Sequence, residues 1–159
     1  KHFSTAFAQR LNSNCALTVV ESVGGEIIEN DHVYIAPGGQ HLQLKRGRDG
    51  VTCQLVDSEP VNRHKPSVDV LFDSVVDTFG EHAIGIMLTG MGKDGAEGLA
   101  KLHSLGAFTI AQDEATSIVW GMPGAAVKIG AVEQVLPLPE IAPKLVNLIQ
   151  KTAPMAMHS

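Results

Sequence analysis

Several classes of residue are scarce in this 159-residue chain, and each scarcity excludes something. Cysteine occurs twice, at Cys15 and Cys53. Two thiols do not make a disulfide framework, and with no secretory leader in view they are expected to stay reduced, in a cytoplasmic setting. Neither has a neighbour in sequence that would activate it as a nucleophile. Aromatics make up 4% of the chain, with five Phe, one Tyr and one Trp, so aliphatic side chains and alanine must build the core. No apolar run approaches the roughly 20 residues of a membrane span, so no direct membrane insertion is expected. Twelve Lys and Arg face 17 Asp and Glu, giving a net charge of −5 with no basic block. That argues against nucleic acid or an anionic membrane as partner. The seven histidines form no i,i+4 pair and no cysteine–histidine spacing typical of zinc, so neither a metal nor another cofactor is expected. The nucleophile-elbow pattern G-x-S-x-G is absent, as are internal repeats and low-complexity linkers.

What is present points to one domain of α/β class, long enough to bury roughly 68–70% of its unfolded surface. Phe3–Asn12 has the period of an amphipathic helix, with Phe3, Phe7 and Leu11 on its apolar face. Short β-rich runs follow at Leu17–Val20 and Val33–Ala36. The segments 41–45 and 51–56 alternate around Gly47-Arg48-Asp49-Gly50, a hairpin signal. After Pro66, Ser67 is placed to cap a helix running to about Phe79, with Val68, Leu71, Phe72, Val75 and Val76 on its apolar side and Gly80 as its stop. From there the pattern is βαβαβα: strand 83–88, helix 94–105 stopped by Gly106, strand 108–111, a helical stretch at 124–129, strand 133–136 and helix 140–151. Short apolar strands alternating with helices predict a doubly wound, mostly parallel sheet flanked by helices, with the antiparallel β-hairpin added. The polar tail, 152–159, is expected to fray as a disordered end.

The most informative segment is Ile84-Gly85-Ile86-Met87-Leu88-Thr89-Gly90-Met91-Gly92-Lys93-Asp94-Gly95. It reads as a strand, a glycine-rich turn and a helix start, the junction where α/β sheets gather their ligands. Gly90, Gly92 and Gly95 fit G-x-G-x-x-G, and Asp113 lies eighteen residues beyond Gly95, near the place a dinucleotide fold asks for an acid. Two physical points oppose that reading. Asp94 would bring a carboxylate to the spot a pyrophosphate needs, and the turn follows several elements instead of the first strand. The competing reading makes Asp94 the functional group. A carboxylate in the first turn of a helix stays ionised and can orient a histidine as the third member of a triad. A third, plainer role is that of helix cap.

The other triad members are harder to place. Arg63-His64-Lys65-Pro66-Ser67-Val68-Asp69 sets His, Ser and Asp close together in sequence, but Ser67 reads better as a helix cap. Arg63 and His64 lie in the loop before that helix, where they can line a cleft or serve as solvated loop charges. His103 is expected on the exposed face of its helix.

Taken together, Glu59 through Asp69, Leu88 through Gly95, Ala111-Gln112-Asp113-Glu114-Ala115, Gly121-Met122-Pro123 and Val33 through Gly38 resemble the catalytic domain of chemotaxis protein-glutamate methylesterases of the CheB type. The order and spacing match from about Phe3 to Ile149. The resemblance implies a methylesterase domain over 1–151 and a serine hydrolase acting on glutamate methyl esters of chemoreceptor cytoplasmic helices, with release of methanol. It also implies deamidation of receptor glutamines and control by an N-terminal receiver domain. In the family the triad runs Ser, His, Asp, and the aspartate of the T-G-M-G-x-D-G motif is here Asp94. The Met91 N–H corresponds to an oxyanion-hole donor, with Gly90, Gly92, Arg63, His64 and Met122 near the cleft. The family's serine and histidine correspond to positions upstream of Lys1, as does the receiver domain. His2 falls slightly beyond the histidine's place and Ser4 sits on a helix, so neither role transfers to them. The family's first strand is central in its sheet, and without it neighbouring strands are expected to show open edges. The rival functions are a receptor-binding adaptor without chemistry and the dinucleotide module.

Overall fold

The computed structural model describes residues 3–151 in full and the backbone alone of His2 and of residues 152–158. The frayed tail expected over 152–159 lies outside the residues described in full. Helix α1 (His2–Ser13) leads to strands β1 (Thr18–Glu21) and β2 (His32–Ile35), then to the hairpin β3 (His41–Gly47) and β4 (Gly50–Val56). Helix α2 (Val68–Thr78) and a 3₁₀ turn (Gly80–His82) precede the alternating half: β5 (Ile84–Met87), α3 (Ala96–Ser104), β6 (Phe108–Gln112), α4 (Met122–Lys128), β7 (Gln134–Leu136) and α5 (Leu138–His158).

The class is the expected α/β, with parallel strands in the order β5-β6-β7, a parallel pair β1-β2 and the antiparallel pair β3-β4. The hairpin closes through Gly47 opposite Gly50, leaving Arg48 and Asp49 as its two-residue turn. Burial on both sheet faces holds for β6, where Thr109, Ile110, Ala111 and Gln112 are all buried. On β5 only Gly85 and Met87 are buried, while Ile84 and Ile86 are half-buried. Among the described strands β5 pairs only with β6, so its second edge is open.

The core gathers around Met87, the last residue of β5. Met87, Ala96, Leu99, Ala126 and Ala131 form its buried centre, and Val68, Phe72 and Met122 pack on it. Alanine and aliphatic side chains fill it, as the shortage of aromatics requires.

Two expectations about helix faces need correction. Phe3 is 81% exposed and Phe7 37%, whereas Ala8 is buried. Polar bonds set this orientation: the Ser4 and Thr5 hydroxyls donate to the Glu21 carboxylate, and Asn12 Oδ1 accepts the Val19 N–H at 2.9 Å. Residues 4, 8 and 12 share a helical face, so the face carrying Ala8 meets β1 and the phenylalanines turn away. On α2 the buried residues are Asp69, Ser74 and Thr78, and the expected apolar residues are half-buried. This helix is wedged between β3 and α3. Its apolar side chains are therefore divided: Val68 and Phe72 join the core, while Leu71 lies with Leu42 and Ala36. The polar side chains bond across to the neighbouring layers, as when Ser74 Oγ accepts the Leu44 N–H at 2.9 Å.

Candidate active site

Strand β5 delivers the loop Leu88–Gly95 to the carboxyl end of the parallel sheet. Gln112 and residues 119–122 fasten its first half. Thr89 N–H donates to Gln112 Oε1 at 2.8 Å, and Thr89 Oγ1 both donates to the Val119 carbonyl and accepts the Val119 N–H, each at 2.9 Å. Gly90 N–H donates to the Val119 carbonyl at 3.0 Å, and the Gly90 carbonyl accepts the N–H groups of Gly121 at 3.1 Å and Met122 at 2.8 Å. Only glycine fits at position 121, where a Cβ would stand 2.7 Å from the Gly90 oxygen and 2.9 Å from the Gly92 nitrogen.

The second half of the loop turns inward and buries Asp94 to 2% exposure. Its carboxylate does not cap its own helix. It lies two residues before α3 and reaches the N-terminus of α2. Oδ2 accepts the Val68 N–H at 2.7 Å, while Oδ1 accepts the Ser67 hydroxyl at 2.8 Å, the Asn62 amide at 2.9 Å and the Asp69 N–H at 3.3 Å. The dipole holding Asp94 is thus that of α2. Ser67 stands at the N-cap position of α2 with extended backbone, but its side chain caps nothing. Its hydroxyl donates a hydrogen bond to the carboxylate that takes the free N–H groups in its place. Burial, the largest single influence on Asp94, pushes its pKa up. The bonds from Asn62, Val68, Ser67 and Asp69 together outweigh it and hold the carboxyl below the ordinary aspartate value.

The exchange between helices is reciprocal. Asp69, in the first turn of α2 and 8% exposed, points its Oδ1 at the Gly98 N–H of α3 at 2.8 Å. A Cβ at Gly98 would lie 3.0 Å from that oxygen and 2.6 Å from Phe72 Cβ, so the approach needs glycine. Asn62 Nδ2 joins the two carboxylates, donating to Asp69 Oδ2 at 2.7 Å as well as to Asp94. Each carboxylate caps the other's helix, and one amide ties them together.

Outside this buried pair the loop is open. Met91 is 74% exposed, and its N–H has no partner among the described residues. A cleft of about 600 Å³ is lined by Asn62, Arg63, His64, Met91, Gly92 and Lys93. The loop from Val61 to His64 is a tight turn closed by reciprocal main-chain bonds, Val61 N–H to His64 oxygen at 3.0 Å and His64 N–H to Val61 oxygen at 2.9 Å. Its two central residues, Asn62 and Arg63, are left-handed, with φ of 54° and 66°. The structure thus brings Arg63 and His64 to the same cleft as Met91 and Gly92. Gly90 and Met122, bonded to each other, are not among the residues that line it.

Other candidate residues are not assembled. Ser67 is buried with its hydroxyl on a carboxylate, and no imidazole among the described residues bonds to that hydroxyl. His41, fully buried, accepts the Ser67 N–H on Nδ1 and pairs Nε2 with the Glu59 carbonyl, a structural clamp. His103 is half-buried, not exposed, with Nδ1 3.3 Å from the Thr109 hydroxyl. Burial pushes the Cys53 thiol up in pKa, the direction that suppresses thiolate chemistry. Two groups of the dinucleotide reading are already engaged: Asp69 holds the Gly98 N–H in the first turn of α3, and Asp113 Oδ1, the acid that would meet a ribose, accepts the Thr116 N–H and hydroxyl at 3.0 and 2.6 Å.

Asn62 and Asp69 are the site residues that sequence reasoning missed as partners of Asp94. Asn62 carried a signal, since asparagine is among the residues other than glycine that best tolerate a left-handed turn. Nothing local marked its amide as the link between two distant carboxylates.

The family model described as CheB methylesterase matches residues 1–145. A protein-glutamate methylesterase/protein-glutamine glutaminase of Hydrogenovibrio crunogenus is 52% identical over 149 residues, 94% of this chain and 40% of its own length. One from Xanthomonas oryzae pv. oryzae is 53% identical over 146 residues, 92% of this chain and 41% of its own. The chain therefore spans about two-fifths of the length of these relatives. The crystal structure of the Thermotoga maritima CheB methylesterase catalytic domain superposes with a TM-score of 0.89 at 39% identity, covering 92% of this chain and 77% of that one.

Proposed function

The chain belongs to the CheB methylesterase family, and from that premise we propose that it supplies the aspartate and one oxyanion donor of a serine-type hydrolase. The enzyme acts on glutamate γ-methyl esters, and on glutamine carboxamides, in the cytoplasmic segments of methyl-accepting chemoreceptors. Asp94 carries the reading: a carboxylate 2% exposed and held ionised by four donors, behind a cleft whose loop presents a free Met91 N–H.

In this scheme the nucleophilic serine and the histidine base come from outside residues 1–159. The serine attacks the ester carbonyl as the histidine takes its proton. Asp94 fixes the imidazole tautomer and stabilises the imidazolium. The Met91 N–H helps to hold the tetrahedral oxyanion. The imidazolium returns its proton to the departing methoxide, and water then hydrolyses the acyl-enzyme to a glutamate carboxylate. A glutamine follows the same course with ammonia as leaving group.

The test is methanol release from a methylated receptor fragment by the longest natural chain carrying this domain. Asp94→Asn is expected to lower turnover by about 10⁴-fold, the order seen when a triad aspartate is so changed elsewhere. Unchanged turnover in a folded variant overturns the role of Asp94. Release by residues 1–159 alone would place the nucleophile within them and overturn the division of the triad. Binding without turnover in the longest chain would favour the adaptor.

A further inference from the structure

The cleft in front of Asp94 has an electrostatic character that the esterase chemistry does not require. Three of its six lining residues, Arg63, His64 and Lys93, are basic, and none is a carboxylate. This is out of keeping with a chain of net charge −5, in which acids outnumber Lys and Arg by 17 to 12. Several cations elsewhere have partners. Lys65 pairs with Asp57 at 2.8 Å and Lys101 with Asp73 at 2.9 Å, while Arg46 and Lys144 lie over the rings of Phe79 and Phe108. The side chains of Arg63, His64 and Lys93 form no ion pair or hydrogen bond among the described residues, and all three are exposed.

Their presentation is also fixed by the fold. Arg63 sits in the left-handed region at φ 66°, an unfavourable place for a long L side chain, directly after Asn62 at φ 54°. The turn is held there because the Asn62 amide is bonded to both buried carboxylates, at 2.7 and 2.9 Å. Such a conformation persists only where its surroundings over-determine it. Lys93 immediately precedes Asp94, so burial of that carboxylate anchors the backbone that carries it. Two cations are thus carried on anchored backbone along one concave surface, where a cleft focuses their field.

We propose that this cleft is an acid-selecting subsite: Arg63 and Lys93 bind carboxylates of a polypeptide segment that flank the residue being processed. The inference rests on the esterase reading for the identity of that residue, not for the preference itself. The chemistry it selects is an acid-rich protein segment. Binding should be steered by charge, weaken with salt, and not depend on the presence of a nucleophile.

The test is fluorescence anisotropy with the 159-residue chain and two labelled peptides. Both carry one glutamate γ-methyl ester; one has four flanking glutamates and the other has serine at those positions. The acidic peptide is expected to bind more tightly at low salt, and the preference should shrink as salt is raised. Arg63→Asn, which keeps a residue tolerant of the left-handed turn, and Lys93→Gln should each cut the preference by roughly threefold, and together by roughly tenfold. Circular dichroism confirms that all three variants fold. Equal binding of the two peptides, binding of neither, or an acid preference that survives in the double variant overturns the proposal. So does equal binding of a single-stranded oligonucleotide of matched charge, which would make the cleft a general polyanion site. Methanol release by the longest natural chain is measured separately. Turnover without acid preference removes this inference and leaves the esterase reading standing; acid preference without turnover does the reverse.

Discussion

Helices α2 and α3 meet twice through carboxylates of α2 one turn apart, and the two meetings differ in kind. At the amino-terminal end Asp69 is buried and bonds a main-chain N–H of α3, within the network of Asp94 and Asn62. Four residues on, Asp73 is exposed and pairs with Lys101 at 2.9 Å, both side chains at least half in water. The first contact is buried and tied through Asn62 to the cleft wall, and the second faces solvent. Their difference teaches where rigidity is concentrated: beside the proposed chemistry, where helix termini supply donors and water is excluded, and not along the outer seam. A buried carboxylate that loses its donors, or buried donors that lose their acceptor, cost far more than a broken surface pair.

The largest effect should follow from emptying the buried end. Asp94→Ala leaves the Val68 and Asp69 N–H groups, the Asn62 amide and the Ser67 hydroxyl without their acceptor, and should destabilise the domain by about 3 kcal/mol or more in urea unfolding. Asp94→Asn keeps one oxygen and the shape, and should cost clearly less stability while still removing the function proposed for Asp94. A variant pair that loses stability equally would mean that volume, not hydrogen bonding, holds this end together.

Next comes the approach of Asp69 to α3. Gly98→Ala places a methyl group where a Cβ lies 2.6 Å from Phe72 Cβ. It should cost about 1–3 kcal/mol as the helices are forced apart. Asp69→Ala orphans the Gly98 N–H and should cost about 2 kcal/mol. Because the two changes break one contact, the double variant should fall short of their sum.

The comparison also sharpens with pH. Asp94 is held below its ordinary pKa in the folded chain. Its contribution is therefore fully present above the unfolded value of about 3.9 and is lost as pH falls through the lower folded value. Stability measured downward from about pH 4 should decline more steeply in the wild type than in Asp94→Asn, which has no proton to bind there. Parallel curves would show that the carboxylate's hydrogen bonds do not favour its ionised form.

The sequence carried the outline of this fold and little of its inner wiring. Alternation from β5 onward was legible because strand and helix periods differ and Gly80 and Gly106 punctuate them. Helix ends shifted by a residue or two, as at α3, which begins at Ala96 and not Asp94. The misread faces share one cause. Phe3 and Phe7 look like a core stripe, but hydroxyls on Glu21 decide the orientation of α1. Ser67 looks like a cap, but the capping oxygens come from Asp94, 27 residues away. Local pattern reports hydrophobic period and turn chemistry; it does not report which distant carboxylate will take a free N–H. Asp94 stood out through the glycines around it, whereas Asp69 was hidden inside an amphipathic helix.

The smallest effect belongs to the outer seam, and it is the one that tests the comparison from the other side. The Asp73 carboxylate holds the Lys101 ammonium above its usual pKa, so the pair is attractive in the folded chain. Attraction between two hydrated side chains is nevertheless offset by the rotamer freedom they give up, and it is screened by salt. Asp73→Ala, Lys101→Ala and the double variant should all unfold within the scatter of the wild type at 0.15 M salt, and the double-mutant cycle should close near zero. At low ionic strength a small coupling should emerge. A coupling at 0.15 M salt as large as that between Asp69 and Gly98 would mean that the outer seam shares the rigidity assigned to the buried end, and the contrast between them would fail.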